Sequence, residues 1–250
     1  MAAPAAESTL LSCICRNPLH TGALIFHESP RIECKPPGEE SRTLRLVKAV
    51  LAGAREEGAE TKLVDLYTLQ IEYCTACGSC YATGDCSLND DFPDLFNDML
   101  DADGIVLGSP NYIDSVTAPL KAVFDRMADA VHCQMLTDKF GCSVCTAGGS
   151  HQDDVVAYMN HALTNFGATA VGGVGVAVGW DPTALERAEK EAFTLGKKLA
   201  ESIRGEHRYP EQEEVHRQRR DYFRQLVTAN RDLWRHEYDW YVTMGWIKEE

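Results

Sequence analysis

From residue 22 to about residue 205, short continuous apolar runs alternate with longer segments whose apolar residues fall at helical spacing. Continuous runs of this length are typical of strands buried on both faces, and apolar residues three or four positions apart predict amphipathic helices. The predicted strands are Ala23–His27, Thr61–Leu66, Gly104–Gly108, Phe140–Cys145 and Ala168–Val178. Thr9–Cys15 is a second, less favoured choice for the first strand.

Helix-start signals separate these strands. Ser41 can cap the first helix, which ends near Gly58, and Pro119 begins the third. Asp91 and Pro93 open the second helix, the fourth covers about residues 151–166, and a last helix follows Asp181-Pro182. Five strands joined by four crossover helices predict an α/β fold with a doubly wound parallel sheet, whose ligands bind beyond the carboxyl ends of the strands.

Composition narrows the choice of partners. The 250-residue chain carries 24 Lys and Arg against 38 Asp and Glu, a net charge of −14. This negative field disfavours nucleic acid and anionic membranes as partners. No apolar run reaches the roughly 18–20 residues that span a bilayer, and the Ala-rich N-terminus lacks a signal-peptide pattern. A cytoplasmic protein is therefore expected, in which the ten cysteines are metal, cluster or redox ligands rather than disulfides.

The segments after the predicted strands carry small, hydroxylated and aromatic residues. Ser29 and Arg31 follow the first strand, and Ser41, Arg42 and Thr43 stand at the next helix start, where a phosphate monoester would fit. A solvated loop with an ordinary Ser cap is the alternative. No G-x-G-x-x-G dinucleotide fingerprint is present. Two further segments suit a flat ring or, as an alternative, simple turns: Pro110, Asn111, Tyr112 and Ile113, and Thr146, Ala147, Gly148 and Gly149.

Four cysteines form a compact motif between the second strand and the next helix. Three are separated by two residues each, and the fourth follows after five more: Cys74, Cys77, Cys80 and Cys86. Such spacing lets one loop reach the corners of an iron–sulfur cubane. Zinc sites more often use two separated pairs, so zinc is the weaker metal interpretation, and free or redox-active thiols stay open.

Taken together, these motifs resemble the NADPH-dependent FMN reductase family. The resemblance covers roughly residues 22–205 and is closest to the iron–sulfur flavoprotein branch. It is carried by Ser29-Pro30-Arg31, the cysteine motif with Asp90-Asp91, the run Ala102–Tyr112, Pro119-Leu120-Lys121 and Phe124-Asp125-Arg126.

The resemblance implies a flavodoxin-like fold that binds FMN without a covalent bond and assembles as a dimer or tetramer. It implies that Ser29, Arg31, Ser41, Arg42 and Thr43 hold the FMN phosphate. Pro110 to Ile113 and Thr146 to Gly149 would line the isoalloxazine, and the cysteine motif would hold a [4Fe–4S] cluster. One departure is an insertion at residues 32–40, which puts individual phosphate ligands in doubt.

The other cysteines and the tail receive separate interpretations. Cys133, Cys142 and Cys145 are interpreted as small buried hydrophobes, and a second redox group at Cys13, Cys15 and Cys34 is disfavoured. We predict an N-terminal extension at 1–21, a flavin domain at 22–205 and a helical, aromatic-rich extension at 206–250. The extension is expected as one long helix that buries its aromatics in a subunit contact, with packing on its own domain as the alternative.

The predicted activity is transfer of electrons from NAD(P)H through FMN, and through a cluster if present, to a small-molecule or protein acceptor. No side chain is expected to act as nucleophile or general base, because the flavin carries the chemistry. The alternative is an iron–sulfur flavoprotein that takes electrons from a ferredoxin-like protein. A scaffold that has lost its flavin is the least favoured reading.

Overall fold

The structure, a computed structural model, describes residues 22–27 and 41–248, and for 22–27 it describes the backbone alone. Over these residues, five parallel strands form one sheet in the order β2-β1-β3-β4-β5. This is the doubly wound arrangement that the sequence predicted. The strands are β1 Gly22–His27, β2 Glu60–Asp65, β3 Gly104–Pro110, β4 Phe140–Ala147 and β5 Thr169–Ala177.

Helices cover both faces of the sheet and continue beyond it. The helix predicted to begin at Pro119 is interrupted at Met127, so that a second short helix follows it. The helices are α1 Arg42–Glu56, α2 Ser79–Thr83, α3 Phe92–Asp101, α4 Ala118–Arg126, α5 Ala128–Cys133, α6 Gln152–Asn165, α7 Ala184–Ile203, α8 Pro210–Ala229 and α9 Arg235–Thr243.

Alternate residues of the central strand β3 pack into different cores. Ile105 and Leu107 belong to a core with α3, α4 and α6, whereas Val106 belongs to the core with α1 and α7. All three side chains are buried, as expected for a strand covered on both faces.

Glycines allow α1 and α7 to cross in direct contact. A Cβ added at Gly53 would lie 1.9 Å from the Phe193 carbonyl oxygen, and one added at Gly196 would lie 1.8 Å from the Val50 carbonyl oxygen. Any larger residue at either position would separate the helices. The close crossing fixes α1 against α7 on one face of the sheet.

The prediction of one long C-terminal helix was wrong. Helix α8 ends at Ala229, a turn follows, and α9 begins at Arg235. In that turn the Asn230 side chain donates a hydrogen bond to the Leu226 carbonyl at 2.8 Å and so caps the end of α8. The turn folds α9 back toward α2 and α5 of the same chain. No helix among residues 41–248 has the length and apolarity needed to cross a membrane.

Candidate cofactor sites

Two candidate cofactor sites lie at the carboxyl edge of the sheet. All five strands are parallel, so the segments that follow them emerge on this edge. The strand order reverses between β1 and β3, and such a switch point is where doubly wound sheets bind ligands. We call the loops after β3, β4 and β5 the strand-end site, and the loop at residues 74–88 the cysteine pocket.

The strand-end site brings the two segments predicted to line a flat ring together. Pro110 and Thr146 are paired in register at the ends of β3 and β4. The Asn111 backbone N–H donates to the Thr146 carbonyl at 2.8 Å, and the Asn111 side-chain amide donates to the Ser150 carbonyl at 2.8 Å. Asn111 therefore ties the two loops to each other.

The start of α1 adjoins the same loops. The hydroxyls of Thr43 and Thr146, both buried, lie 2.6 Å apart and share a hydrogen bond. Ser41 is buried and its hydroxyl accepts from the Leu44 N–H at 3.5 Å, so it caps the helix as the plainer interpretation expected. Arg42 is exposed beside it. Ser29, Arg31 and the insertion at 32–40 lie outside the described residues.

Apolar side chains stand exposed around the strand-end site. Ile113 is 99% exposed and has a φ of 53°, a left-handed conformation that β-branched residues rarely adopt. It lies in a tight turn closed by hydrogen bonds between Tyr112 and Ser115. Trp180, which the sequence analysis missed, is 87% exposed on the loop after β5. Exposed apolar groups and strained backbone on a ligand-binding edge are typical of a binding surface.

Space for a ligand exists at the glycines after β4. A Cβ added at Gly148 or Gly149 would meet no atom within 4 Å, so nothing in the described chain requires a glycine there. A ligand approaching the backbone would require it. The Asn111 Oδ1 atom is buried without a hydrogen-bond partner among the described residues, and it is an acceptor that a bound group could satisfy. The site therefore fits a flat, polar-edged ligand such as FMN.

The cysteine pocket follows β2 and is closed by hydrogen bonds at its base. The Gln70 N–H donates to the Asp91 carboxylate at 2.7 Å, and the Asp91 N–H donates back to the Gln70 carbonyl at 3.0 Å. The Glu72 N–H donates to Asp90 Oδ2 at 2.7 Å. Two consecutive aspartates thus join the start of the loop to its end.

All four motif cysteines line one cavity of about 230 Å³. Cys74 and Cys77 are exposed, and Cys80 and Cys86 are half-buried, with none in a disulfide. Left-handed backbone at Ala76, Gly78 and Gly84 wraps the loop around the cavity. The Ala76 N–H donates to Cys74 Sγ at 3.4 Å, the kind of contact that iron–sulfur sites use to adjust their potential.

The spread of the four sulfurs bears on which metal group fits. Four thiolates around one zinc ion would lie about 3.8 Å apart, given zinc–sulfur bonds of about 2.3 Å. Within residues 41–248, the group of three metal-ligating atoms within 4.8 Å of one another is Asp129, Cys133 and His236. No three of the four loop sulfurs lie that close together, so in this structure they are not arranged around a single zinc ion.

The thiols of the pocket differ in acidity. Burial, and after it the nearby Asp129 carboxylate, raises the pKa of Cys80 to about 11. Cys77 lies at the surface, where the Ser87 hydroxyl 3.2 Å from its sulfur lowers its pKa. The surface thiol of Cys77 is therefore more acidic than an ordinary cysteine, and the inner thiol of Cys80 is less acidic.

A buried ion pair supports the pocket. Arg126, at the end of α4, binds Asp90 through two nitrogens at 2.6 and 3.1 Å and donates to the Glu72 carbonyl at 2.9 Å. The Arg126 side chain is fully buried, lines the cavity and lies over the Phe92 ring at 4.5 Å. Burial alone would raise the pKa of Asp90, but the hydrogen bonds from Arg126 and the backbone hold it below its usual range.

The C-terminal helices cover the other side of the pocket. The Tyr81 and His132 rings stack with centroids 4.9 Å apart, and Trp234 stacks on His132 at 5.3 Å. Trp240 Nε1 donates to the Cys133 carbonyl at 2.9 Å, and the Tyr241 hydroxyl donates to the His132 carbonyl at 3.0 Å. The tail aromatics thus pack against their own chain; a subunit contact through the remaining tail surface stays a prediction.

Sequence reasoning missed several residues of both sites. Asp90 and Arg126 belong to the motifs that carry the family resemblance but were assigned no role. The signal that could have identified Arg126 was its position in the third predicted helix, where a charged residue follows the inward-facing Leu120 and Val123. His236 and Trp234 were grouped with the tail, and no local pattern connects them to a loop 150 residues earlier.

Comparison with known proteins identifies the family. The model of the NADPH-dependent FMN reductase family matches residues 23–182, more than half of the chain. The chain belongs to this family. An iron–sulfur flavoprotein of Archaeoglobus fulgidus is 31% identical over 84% of this chain and 96% of its own length. Another, from Methanocaldococcus jannaschii, is 31% identical over 67% of this chain and 93% of its own length.

Solved structures of similar fold include flavin enzymes. An NAD(P)H:quinone oxidoreductase from Methanothermobacter marburgensis has a TM-score of 0.56 and 18% identity, over 75% of this chain and 96% of that chain. At this identity the likeness shows the flavodoxin-like fold alone. Family membership makes the protein a flavin oxidoreductase, with FMN as its flavin.

Proposed function

We propose that this flavin oxidoreductase takes electrons from NAD(P)H through FMN and passes them through a [4Fe–4S] cluster to a small-molecule or protein acceptor. The observation that carries the proposal is the convergence of all four motif cysteines on one cavity, at the same sheet edge as the strand-end loops. Two electron-carrying sites on one edge suit a path between them.

FMN would bind at the strand-end site. When bound, it accepts a hydride from a nicotinamide and releases electrons singly or in pairs. The start of α1 would supply backbone N–H groups for the phosphate, together with Arg42 and Thr43, and with Ser29 and Arg31 as the family resemblance implies. The exposed side chains of Tyr112, Ile113 and Trp180 would be covered by the ring, which would lie over the bare backbone of the β4 loop.

The cysteine pocket would hold the cluster. Cys74, Cys77, Cys80 and Cys86 supply four thiolates, and the buried Arg126 supplies a positive charge beside Cys86. A cluster with four thiolates carries net negative charge, so a buried cation favours it. The tail rings limit the access of water from one side.

Anaerobic reduction tests the proposed donor. The protein, purified without oxygen and saturated with FMN, is mixed separately with NADPH, NADH and a chemically reduced ferredoxin, and flavin bleaching is followed by stopped flow. Bleaching of the flavin by NADPH or NADH, at a rate at least as fast as catalytic turnover, supports the proposal. Bleaching by ferredoxin alone refutes NAD(P)H as the donor.

A second candidate function is an electron carrier that accepts electrons from a ferredoxin-like protein. The exposure of Cys74 and Cys77 favours it, because a cluster held there would lie within reach of a docked protein. In the same stopped-flow experiment, this candidate predicts fast reduction by ferredoxin and slow reduction by both nicotinamides.

The assembly state and location are also proposals. Leu233 and Tyr222 leave exposed apolar surface on the tail, which supports a homo-oligomer formed through residues 206–250. Light scattering on the full chain and on Leu233→Asp tests this, since a tail contact predicts a shift toward monomer. A cytoplasmic location, expected from the cysteine chemistry, stays a prediction.

A further inference from the structure

Three metal-binding side chains meet beside the cysteine pocket, and the proposed electron path uses none of them. Asp129 and Cys133 lie one turn apart on α5, and His236 reaches them from α9. Their ligand atoms all lie within 4.8 Å of one another. Cys133 is buried, as expected from the sequence, and its sulfur lies close to a carboxylate and an imidazole.

Hydrogen bonds do not satisfy this group. Asp129 Oδ2 and His236 Nε2 lie 3.3 Å apart, an ion-pair distance when the imidazole is protonated, but neither buried atom has a well-aligned hydrogen bond among the described residues. The Cys133 thiol donates to Asp129 Oδ1 only at 3.6 Å. Two buried polar atoms that face each other without an aligned hydrogen bond are satisfied when both bind one cation.

A second buried carboxyl group lies beside Asp129. Glu237 is fully buried and adjoins Asp129. Its Oε1 atom is bonded to His132 Nδ1 at 2.9 Å, and its Oε2 atom has no hydrogen-bond partner among residues 41–248. Two adjoining carboxylates removed from water are stabilised by a cation that binds near both.

The imidazole is held in position by the cysteine loop. A Cβ added at Gly84 would lie 2.6 Å from His236 Nδ1, so the ring rests directly on the loop between Cys80 and Cys86. Its Nε2 atom is thereby directed to Asp129. Packing against the loop thus fixes the orientation of the imidazole.

We propose that Asp129, Cys133 and His236 bind one zinc ion, with Glu237, which adjoins Asp129, as a fourth donor. A thiolate, an imidazole and a carboxylate form a donor set that zinc prefers and that magnesium and calcium do not. On binding, the sulfur–zinc bond replaces the Cys133 S–H bond, and the proton is released to solvent. The ion joins α5 to α9 and, through Gly84, holds the tail against the cysteine pocket.

Metal analysis of the full-length holoprotein tests the site. Protein purified without oxygen is incubated with zinc chloride, passed over a chelating resin, and assayed for zinc and iron per chain. We expect one zinc in the wild type, and at least tenfold less zinc with unchanged iron in Cys133→Ser and His236→Gln. The matched control Cys142→Ser removes a buried thiol from β4 and should keep its zinc. Cys77→Ser should lose iron and keep zinc, which separates this proposal from the cluster proposal.

Zinc-edge X-ray absorption on the wild type removes any dependence on the folding of variants. The proposed site predicts one sulfur at about 2.3 Å and nitrogen or oxygen ligands at about 2.0 Å. A shell of four sulfurs would place the zinc in the cysteine pocket and overturn the proposal. Absence of stoichiometric zinc from the wild type, or zinc retained in both Cys133→Ser and His236→Gln, would overturn it as well.

Discussion

The strand-end site and the cysteine pocket share one edge of the sheet but are built in different ways. The strand-end site consists of backbone, glycines and hydroxyls, with Ile113 and Trp180 exposed beside it. The cysteine pocket depends on side chains from distant elements: Arg126 of α4 and His132 of α5 support it, and Trp234 of the tail covers it. The fold alone presents the first site, whereas the second requires tertiary contacts across 160 residues.

We expect the largest effect from a variant that removes iron from the cysteine pocket and leaves FMN in the strand-end site. Replacing Cys80 with Ser removes an inner thiolate, so iron should fall from about four per chain to near zero while FMN stays at the wild-type level. Iron and flavin assays on protein purified without oxygen measure both quantities. Cys145→Ser, which alters a buried thiol of β4, is the matched control and should keep both. Equal loss of FMN from Cys80→Ser would mean that the sites are not independent.

The next effect concerns the support beneath the pocket. Arg126→Met leaves Asp90 buried without its cation, which should lower the free energy of unfolding by about 3–5 kcal/mol. Lys121→Met, on the same helix, breaks an ion pair with Asp125 whose side chains are about half exposed, and should cost less than about 1 kcal/mol. Urea denaturation of the two variants gives the comparison. Similar losses would show that the buried pair is not a special support of this region.

A glycine substitution should affect the strand-end site alone. Gly149→Val adds a side chain where the described protein has open space, so protein stability should change little. The added atoms would meet a bound flavin, and we expect the FMN dissociation constant to rise at least tenfold, about 1.4 kcal/mol. Fluorescence titration measures the affinity, and the iron content serves as the internal control. Unchanged affinity would mean that the flavin does not contact the β4 loop.

The smallest expected effect is a histidine titration at the strand-end site. A hydrogen bond to Asp154 at 2.9 Å, together with the nearby Asp114, raises the pKa of His151 above 6.5. The charged histidine therefore contributes its full stability below pH 6.5, and this contribution is lost as pH rises through the folded-state pKa. Asp154→Asn should lower this pKa, whereas Asp153→Asn, on the same helix turn, should leave it unchanged. Proton NMR of the His151 ring distinguishes these results.

The sequence predicted the strand-end site better than the surroundings of the cysteine pocket. The period of apolar residues was enough to predict all five strands and the close pairing of the segments after β3 and β4, because both depend on local pattern and parallel topology. The four cysteines were found from spacing alone. The break at Asn230 and the contacts of His236 and Trp234 were missed, since they depend on where a distant helix packs and no local signal records that.

Spectroscopy of the wild-type protein, purified without oxygen, tests both cofactor assignments in one sample. Absorbance, iron and acid-labile sulfide are measured on one sample. We expect the absorbance spectrum to show FMN bands above a broad shoulder that bleaches with reductant, and the assays to give about four irons and four sulfides per chain. Flavin bands with no iron or sulfide would contradict the assignment of the cysteine pocket, and failure to bind added FMN would contradict the assignment of the strand-end site.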